Sequence, residues 1–283
     1  MKLHAAPVRS IAEWMGEADA SLIPVSQVCG LTAPDGFRYT PYLALLEDVR
    51  LLPRDWLLLS NEGGILLDGV HHTLPLNPAK SFWAESFAGG VMQLRLPGEE
   101  TVIEQSAVLL GNAPNHYHWL MDYLPRLSIV EAFRDLAELP LVVGGDLEAG
   151  QAQMLGHLGI APERLLKVDL DRVYRFRQLW VPAQLVDRMR LHPGAIEWIH
   201  TRIARPGQCV RRMFISRRDA ARRRLVNEDE IIEIVSAHGF EIVLPAMLNQ
   251  VDQARLFTEA ASVIGVAGAG LTNMLFAPTG ATL

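Results

Sequence analysis

The segment NAPNHYHWLMDYLPRL, residues 112–127, carries polar side chains at three- and four-residue spacing: Asn115, His118, Asp122 and Arg126. On an α-helix these side chains would share one face. A carboxylate held by an imidazole is what general-base catalysis on a hydroxyl requires, so Asp122 and His118 are a candidate catalytic pair. A solvated stripe with an Asp122–Arg126 ion pair is the alternative. No metal site is predicted, because a third zinc ligand is not apparent.

Apolar residues of the same segment are spaced for a buried helical face. Trp119, Tyr123, Leu127 and Val130 recur at three- and four-residue intervals. Pro125 lacks a backbone N–H and removes one helical hydrogen bond, so we expect the helix to bend or split there. The segment is therefore predicted to be an amphipathic helix that is interrupted near its C-terminal end.

A second set of residues that could do chemistry is a cluster of arginines in an otherwise acidic protein. The cluster contains Arg211, Arg212, Arg217, Arg218, Arg222, Arg223 and Arg224. Guanidinium groups match phosphate oxygens through paired hydrogen bonds. Arg217 and Arg218 follow a predicted strand, where a diphosphate is favoured, whereas some of residues 222–224 are expected to cover the surface. A solvated basic loop is the alternative, and a short nucleic-acid patch is possible but unsupported, because aromatic residues do not alternate with the arginines.

The third set is the glycine-rich turn AGAG at residues 267–270. Gly268 and Gly270 permit close backbone approach, and the turn that follows offers free N–H groups to an anion. Close packing of a helix on a strand is the alternative. The spacing from Gly265 onward resembles a dinucleotide fingerprint, but it follows the last strand and lacks the acidic partner. An NAD-dependent oxidoreductase is therefore disfavoured.

The segment that contains the last two sets is predicted to be β-α-β-α-β. Its elements are a strand at Met213–Ser216, a helix that begins at Glu228 and is ended by Gly239, a strand at Phe240–Leu244, a helix at Asn249–Ala261 and a strand at Ser262–Val266. Asn227 is expected to cap the first helix, with Glu230 completing a capping box. In parallel sheets the ligand lies beyond the carboxyl ends of the strands, which is where Arg217 and the glycine turn fall.

The N-terminal half is predicted to be a strand-rich element followed by an α/β layer. Short apolar runs separated by Pro, Asn and Gly are typical of β-hairpins, and they fall at residues 49–52, 56–59 and 65–67. From residue 106 onward strands alternate with helical segments, as they do in parallel layers. The best strands there are Val108–Leu110, Leu139–Val143 and Leu179–Val181.

A Pro-, Gly- and Arg-rich break at residues 205–207 predicts a domain boundary. The N-terminal domain is then residues 1–205, with a strand-rich part at 1–105 and an α/β part at 106–205. The C-terminal domain is residues 206–283.

Composition excludes several classes of protein. The 283 residues are 49% hydrophobic, which is enough for a large core, and the net charge of −6 argues against a nucleic-acid binder that works through bulk positive charge. Cys29 and Cys209 are the only cysteines, so neither a disulfide framework nor a Cys-x-x-Cys motif is present. No segment has the length and apolarity of a signal peptide or a membrane span. We expect a cytoplasmic protein, either free or peripheral at the inner face of the membrane.

Together these motifs resemble glycosyltransferase family 61, which includes plant xylan arabinosyl- and xylosyltransferases and bacterial capsule-associated proteins. The similar segments occur in the family order and are residues 115–127, 214–231, 248–281 and, more loosely, 63–77. The resemblance implies a GT-B architecture, with two Rossmann-like domains facing a cleft. It also implies an inverting enzyme of polysaccharide biosynthesis that moves a sugar from a nucleoside-diphosphate sugar, with UDP favoured, to a glycan or related hydroxyl. The resemblance further implies that no cofactor is required.

The resemblance also implies a role for each matching residue. Asp122 would be the base that deprotonates the acceptor hydroxyl, with His118 beside it and Asn115 and Arg126 on the acceptor side. The donor would be held by Arg217, Arg224, Gly268, Ala269, Gly270, Thr272 and Asn273.

Two departures from the family pattern define the alternative function. The family commonly has His in the glycine turn where this chain has Ala267. The chain also stops at Leu283, where the family pattern continues into a strand and a final helix, so a shortened member is expected. The alternative is a catalytically silent relative that binds nucleotide or glycan as an assembly component.

Overall fold

The computed structural model describes residues 2–9, 22–24, 41–61, 64–66, 81–88, 91–187, 189–220 and 223–283. Cys29, Arg222 and most of the loosely matched segment 63–77 lie outside these residues. The chain forms two compact units. The first comprises residues 1–114, 121–147 and 163–192, and the second comprises residues 115–120, 148–162 and 193–283. No helix in the described part of the chain is long and apolar enough to cross a membrane.

The first unit is built on a mixed sheet to which twelve strands of the described residues belong. These strands are β1 (Lys2–Arg9), β2 (Leu22–Pro24), β3 (Tyr42–Leu52), β4 (Leu57–Leu59), β5 (Ile65–Leu66), β6 (Ala84–Ala88), β7 (Val91–Leu96), β8 (Thr101–Ile103), β9 (Ala107–Leu109), β10 (Leu141–Gly144), β11 (Leu165–Val168) and β12 (Tyr174–Pro182). The order along its main path is β11-β10-β9-β12-β3-β4-β5-β1-β7-β6. A separate hairpin joins β13 (Val186–Asp187) to β14 (Arg190–Leu191).

Both strand patterns predicted for the N-terminal half are confirmed. β3, β4 and β5 pair antiparallel in sequence order, as hairpins do. β9 pairs parallel with both β10 and β12. Several boundaries were wrong. β9, β10 and β12 span Ala107–Leu109, Leu141–Gly144 and Tyr174–Pro182. Trp56 lies in the turn before β4, with φ of 54°, instead of starting the strand. Its indole Nε1–H donates to the carbonyl of Asn112 at 2.8 Å, which fixes the turn against the core.

The second unit contains a parallel sheet of three strands, β15 (Arg211–Ile215), β16 (Glu241–Val243) and β17 (Ala260–Gly265). Their spatial order is β16-β15-β17, so the chain reverses its direction of winding between β15 and β17. The α-helices of this unit are α1 (His116–His118), α3 (Ala149–His157), α4 (Pro193–Arg202), α5 (Glu228–Ala237) and α6 (Gln250–Phe257), and α2 (Arg126–Ala132) belongs to the first unit. Short 3₁₀ helices lie at Arg134–Leu136, Pro162–Arg164, Pro245–Met247 and Ala269–Phe276. The predicted β-α-β-α-β order is confirmed.

Two details of the predicted helices were wrong. Asn227 precedes α5 as expected, but its side chain makes no capping hydrogen bond, so the predicted capping box is absent. The second helix, α6, ends at Phe257 and not at Ala261, because β17 begins at Ala260. Asn249 does cap α6, since its side chain accepts a hydrogen bond from the backbone N–H of Asp252.

The segment predicted as one amphipathic helix is divided. α1 is followed by a π-helical stretch at Trp119–Tyr123 and a turn at Leu124 and Pro125, after which α2 begins at Arg126. The interruption at Pro125 is confirmed, but the π-helix abolishes the regular α-helical spacing on which the shared polar face was predicted. The alternative interpretation, in which these polar residues form a solvent-exposed stripe, was also wrong, because Asp122 is 1% exposed and Arg126 is fully buried.

Candidate functional site

A cavity of about 330 Å³ opens at the carboxyl ends of the parallel strands in the second unit. The residues that follow the three strands line it: Ser216 and Arg217 after β15, Pro245 and Ala246 after β16, and Val266 after β17. We call this space the strand-end cavity. It lies where the winding of an open parallel sheet reverses, which is the position at which such sheets bind ligands. The volume is within the range of small-molecule sites.

Arg217 and the glycine turn, which are 51 positions apart in sequence, meet at this cavity. A Cβ atom added to Gly268 would lie 2.5 Å from Nη1 of Arg217, so only glycine leaves room for the guanidinium. The loop before the guanidinium is fixed, because the backbone N–H of Arg217 donates to Oε1 of the buried Glu228 at 2.8 Å. Gly268 has extended backbone, with φ of −179°, so close approach is the reason for glycine there.

Gly268→Ala is therefore expected to push the Arg217 guanidinium aside without unfolding the protein, because the end of a flexible side chain moves more easily than backbone. We expect weaker binding of UDP with an unchanged melting temperature, measured by calorimetric titration and thermal unfolding. Gly156→Ala in α3 is the matched control, since a methyl group there meets no atom within 4 Å. Equal UDP affinity in wild type and Gly268→Ala would contradict the assigned contact.

A chain of hydrogen bonds forms a second part of the site. Nε2 of Gln253 donates to the carbonyls of Pro245 and Leu248, so its Oε1 faces Nδ2 of Asn273 at 2.9 Å. Nδ2 of Asn273 also donates to the carbonyl of Gly270. These carbonyls accept only, so the orientation of both amides is fixed. Oδ1 of Asn273 consequently faces Nε2 of His116, at 3.0 Å.

The amide orientation determines the tautomer of His116. Oδ1 of Asn273 accepts, so Nε2 of His116 carries the proton and Nδ1 is the basic nitrogen of the neutral ring. Burial lowers the pKa of His116, and the hydrogen bond to Asn273 opposes that effect. The imidazole lines the strand-end cavity. Sequence reasoning missed this residue, because its place between Asn115 and Tyr117 fits no spacing rule and its partner is 157 positions away.

Asn273 is fully buried and makes three hydrogen bonds, so Asn273→Leu is expected to lower the melting temperature markedly. A buried polar group left without its partner costs about 1–3 kcal/mol, and this change removes three hydrogen bonds to half-buried partners. Thermal unfolding measures the loss. Asn227→Leu is the control, because the Asn227 side chain is exposed and caps nothing. Equal melting temperatures for wild type and Asn273→Leu would refute the hydrogen-bonded chain.

Most other residues predicted for the donor site lie in the second unit without lining the cavity. Arg224 is exposed, Ala269 and Thr272 are half-buried, and Gly270 alone of the turn reaches the cavity wall. Arg218, the neighbour of Arg217, forms an ion pair with Asp229 in the first turn of α5. Neighbouring arginines of the cluster thus differ in their surroundings: Arg217 lines the cavity, whereas Arg218 forms an ion pair with a residue of α5.

The predicted catalytic and acceptor-side residues are distributed between the two units. Asn115, which is exposed and caps α1, and the half-buried His118 belong to the second unit. Asp122 and Arg126 are buried in the first unit, where Nη1 of Arg126 donates to the carbonyl of Leu110 at 3.1 Å. The pairing of Asp122 with His118 stays a prediction.

The fold is that of an α/β protein with a cavity at the carboxyl ends of its parallel strands. The model of the family Glycosyltransferase 61 matches residues 116–283, more than half of the chain. The chain therefore belongs to glycosyltransferase family 61 and is a transferase that acts on a sugar donor and an acceptor. None of the curated proteins compared with the chain matches it.

Proposed function

We propose that the chain is an inverting GT-B glycosyltransferase that moves a sugar from a UDP-sugar to a hydroxyl of a glycan in polysaccharide biosynthesis. In this proposal residues 206–283 form the nucleotide-binding domain and residues 1–205 the acceptor domain. The observation that carries it is the convergence of Arg217, Gly270 and the strand ends at one cavity, with Gly268 against the Arg217 guanidinium.

The chemistry of the strand-end cavity favours a diphosphate. The guanidinium of Arg217 supplies a positive charge and a planar set of donors. The 3₁₀ helix Ala269–Phe276 starts beside the Arg217 guanidinium and has no side-chain cap. Its first backbone N–H groups are therefore available to an anion. Asp219 also lines the cavity, and its carboxylate accepts from the backbone N–H of Ala246 at 2.9 Å, which offsets part of its negative charge.

The proposed reaction is a single displacement at the anomeric carbon. The acceptor oxygen forms a bond to that carbon while the bond to the oxygen of the β-phosphate breaks, and the acceptor proton passes to Asp122. The nucleoside diphosphate leaves with the bonding electrons, and Arg217 with the helix N–H groups stabilises its charge. No metal or cofactor takes part in the proposed step.

The test is to incubate the full chain with UDP-, GDP-, CMP- and dTDP-sugars in the presence of glycan acceptors. We expect release of UDP, together with a product whose anomeric configuration in NMR is opposite to that of the donor. A ligand at 100 times its dissociation constant stabilises the fold by about 2.7 kcal/mol, so binding is also visible as a thermal shift. Retention of configuration would refute the inverting mechanism.

A catalytically silent protein that binds nucleotide or glycan as an assembly component is the second candidate. The observation that favours it is Ala267, an exposed residue where the family commonly has His. This candidate predicts a thermal shift with UDP-sugars but neither transfer nor hydrolysis. Turnover of any of the four donor sugars would exclude it.

A further inference from the structure

The side chain of Gln250 is buried at the wall of the strand-end cavity with part of its hydrogen-bonding capacity unused. Gln250 is 8% exposed and lines the cavity together with Arg217. Its Oε1 is inaccessible to solvent and has no hydrogen-bond partner among the described residues. Buried amide oxygens are almost always hydrogen-bonded in folded proteins, because an unsatisfied one is destabilising. The unused acceptor at a cavity wall indicates that a ligand completes it.

The amide of Gln250 lies against a glycine of the neighbouring helix α3. Gln250 is the first residue of α6, directly after the capping residue Asn249. A Cβ atom on Gly150, in α3, would lie 3.2 Å from Cγ and 3.3 Å from Nε2 of Gln250, so the absence of a side chain at position 150 makes room for the amide. Glycine at position 150 thus leaves space in which the amide can turn, and a ligand reaches Oε1 only after such a turn, because this atom has no solvent-accessible surface in the structure.

The chemistry of an amide selects among the parts of a nucleotide sugar. A phosphate group offers acceptors only and leaves Oε1 unsatisfied. A nucleobase edge such as that of uracil offers an N–H beside a carbonyl, which pairs with the C=O and NH₂ of a carboxamide through two parallel hydrogen bonds. Apolar side chains of Ile215, Val266 and Leu271 line the same cavity. They suit the flat face of a base better than a sugar ring, because the sugar ring carries hydroxyl groups.

We propose that Gln250 recognises the nucleobase of the donor by pairing its amide with the N–H and carbonyl of the base edge. This inference rests on the proposed function, since it assigns the base of the same nucleotide whose diphosphate we place at Arg217. The three probes that test it are UDP, UDP methylated at N3 of uracil, which lacks the N–H, and pyrophosphate, which lacks the base. Affinities of the full chain for each are measured by calorimetric titration.

Gln250→Met preserves the length of the side chain and removes both hydrogen-bonding groups. We expect UDP to bind this variant about 10-fold or more weakly, the effect of losing two neutral hydrogen bonds. Pyrophosphate should bind wild type and variant equally. The N3-methylated UDP should bind wild type as weakly as UDP binds the variant, and the variant should not distinguish UDP from its methylated form. The variant without ligand should melt no lower than wild type, because it buries no unsatisfied amide.

Gln105→Met, at an exposed position of the first unit, controls for the substitution itself. Unchanged UDP affinity in Gln250→Met would overturn the assignment, and so would an equal loss for UDP and pyrophosphate, which would place the effect at the phosphates or in the fold. A wild type that binds pyrophosphate but not UDP would overturn the base assignment while leaving the diphosphate site. A wild type that binds neither would overturn the proposed function as well.

Discussion

Arg217→Ala is expected to weaken UDP binding by about 1.5–3 kcal/mol, the range for a hydrogen bond to a charged group. The guanidinium lies at the strand-end cavity against Gly268, beside the uncapped start of the 3₁₀ helix. The substitution removes the positive charge and the paired donors that this geometry directs at a diphosphate. Calorimetric titration with UDP measures the effect, which corresponds to roughly 10- to 150-fold in the dissociation constant.

Arg218→Ala is the matched control, because it removes the same side chain one position along. Its guanidinium is paired with Asp229 and is partly exposed, so UDP affinity should be nearly unchanged. The backbone N–H that anchors position 217 to Glu228 is retained in both variants, which protects the loop from collapse. Equal effects of the two substitutions would remove Arg217 from the site and indicate a general influence of charge.

The fold was predictable from the sequence where local rules apply. The start of α5 at Glu228 and the turn at Gly239 with φ of 76° follow from residue types at fixed offsets, whereas the cap of α6 by Asn249 was not predicted, since Asn249 was placed inside the helix. The failures lie where tertiary structure overrides those rules. α6 ends earlier than predicted because the residues from 260 onward belong to β17. Asn227 precedes α5 but makes no capping hydrogen bond.

The candidate site was less predictable because its residues come from distant segments. Arg217 and Arg218 look alike in sequence, and only the structure shows that Arg217 lines the strand-end cavity whereas Arg218 pairs with Asp229. His116 and Gln250 have no motif of their own; their place at the cavity depends on which helices pack together. The face assigned to Asp122 assumed α-helical spacing, which the π-helix at Trp119–Tyr123 replaces.

Asp122→Asn is expected to lower the transfer rate by roughly 10²- to 10⁴-fold, the contribution typical of a general base. An acceptor hydroxyl has far too high a pKa to ionise before reaction, so a carboxylate within hydrogen-bond reach must take its proton as the new bond forms. The residue lies in a π-helical stretch, a rare geometry that occurs often at functional sites. Because Asp122 is 1% exposed, the proposed role requires the covering residues to move before an acceptor can reach the carboxylate.

Asn preserves the shape of the side chain and removes the proton acceptor, so kcat should fall while UDP affinity and the KM of the donor stay nearly constant. Asp55→Asn is the control. Asp55 is an equally buried aspartate that accepts hydrogen bonds from the backbone of Phe82 and Trp83. Its substitution should lower stability but leave transfer per folded molecule unchanged. If Asp122→Asn transfers sugar at the wild-type rate, or loses nucleotide binding and fold together, then Asp122 is a structural residue and the base lies elsewhere.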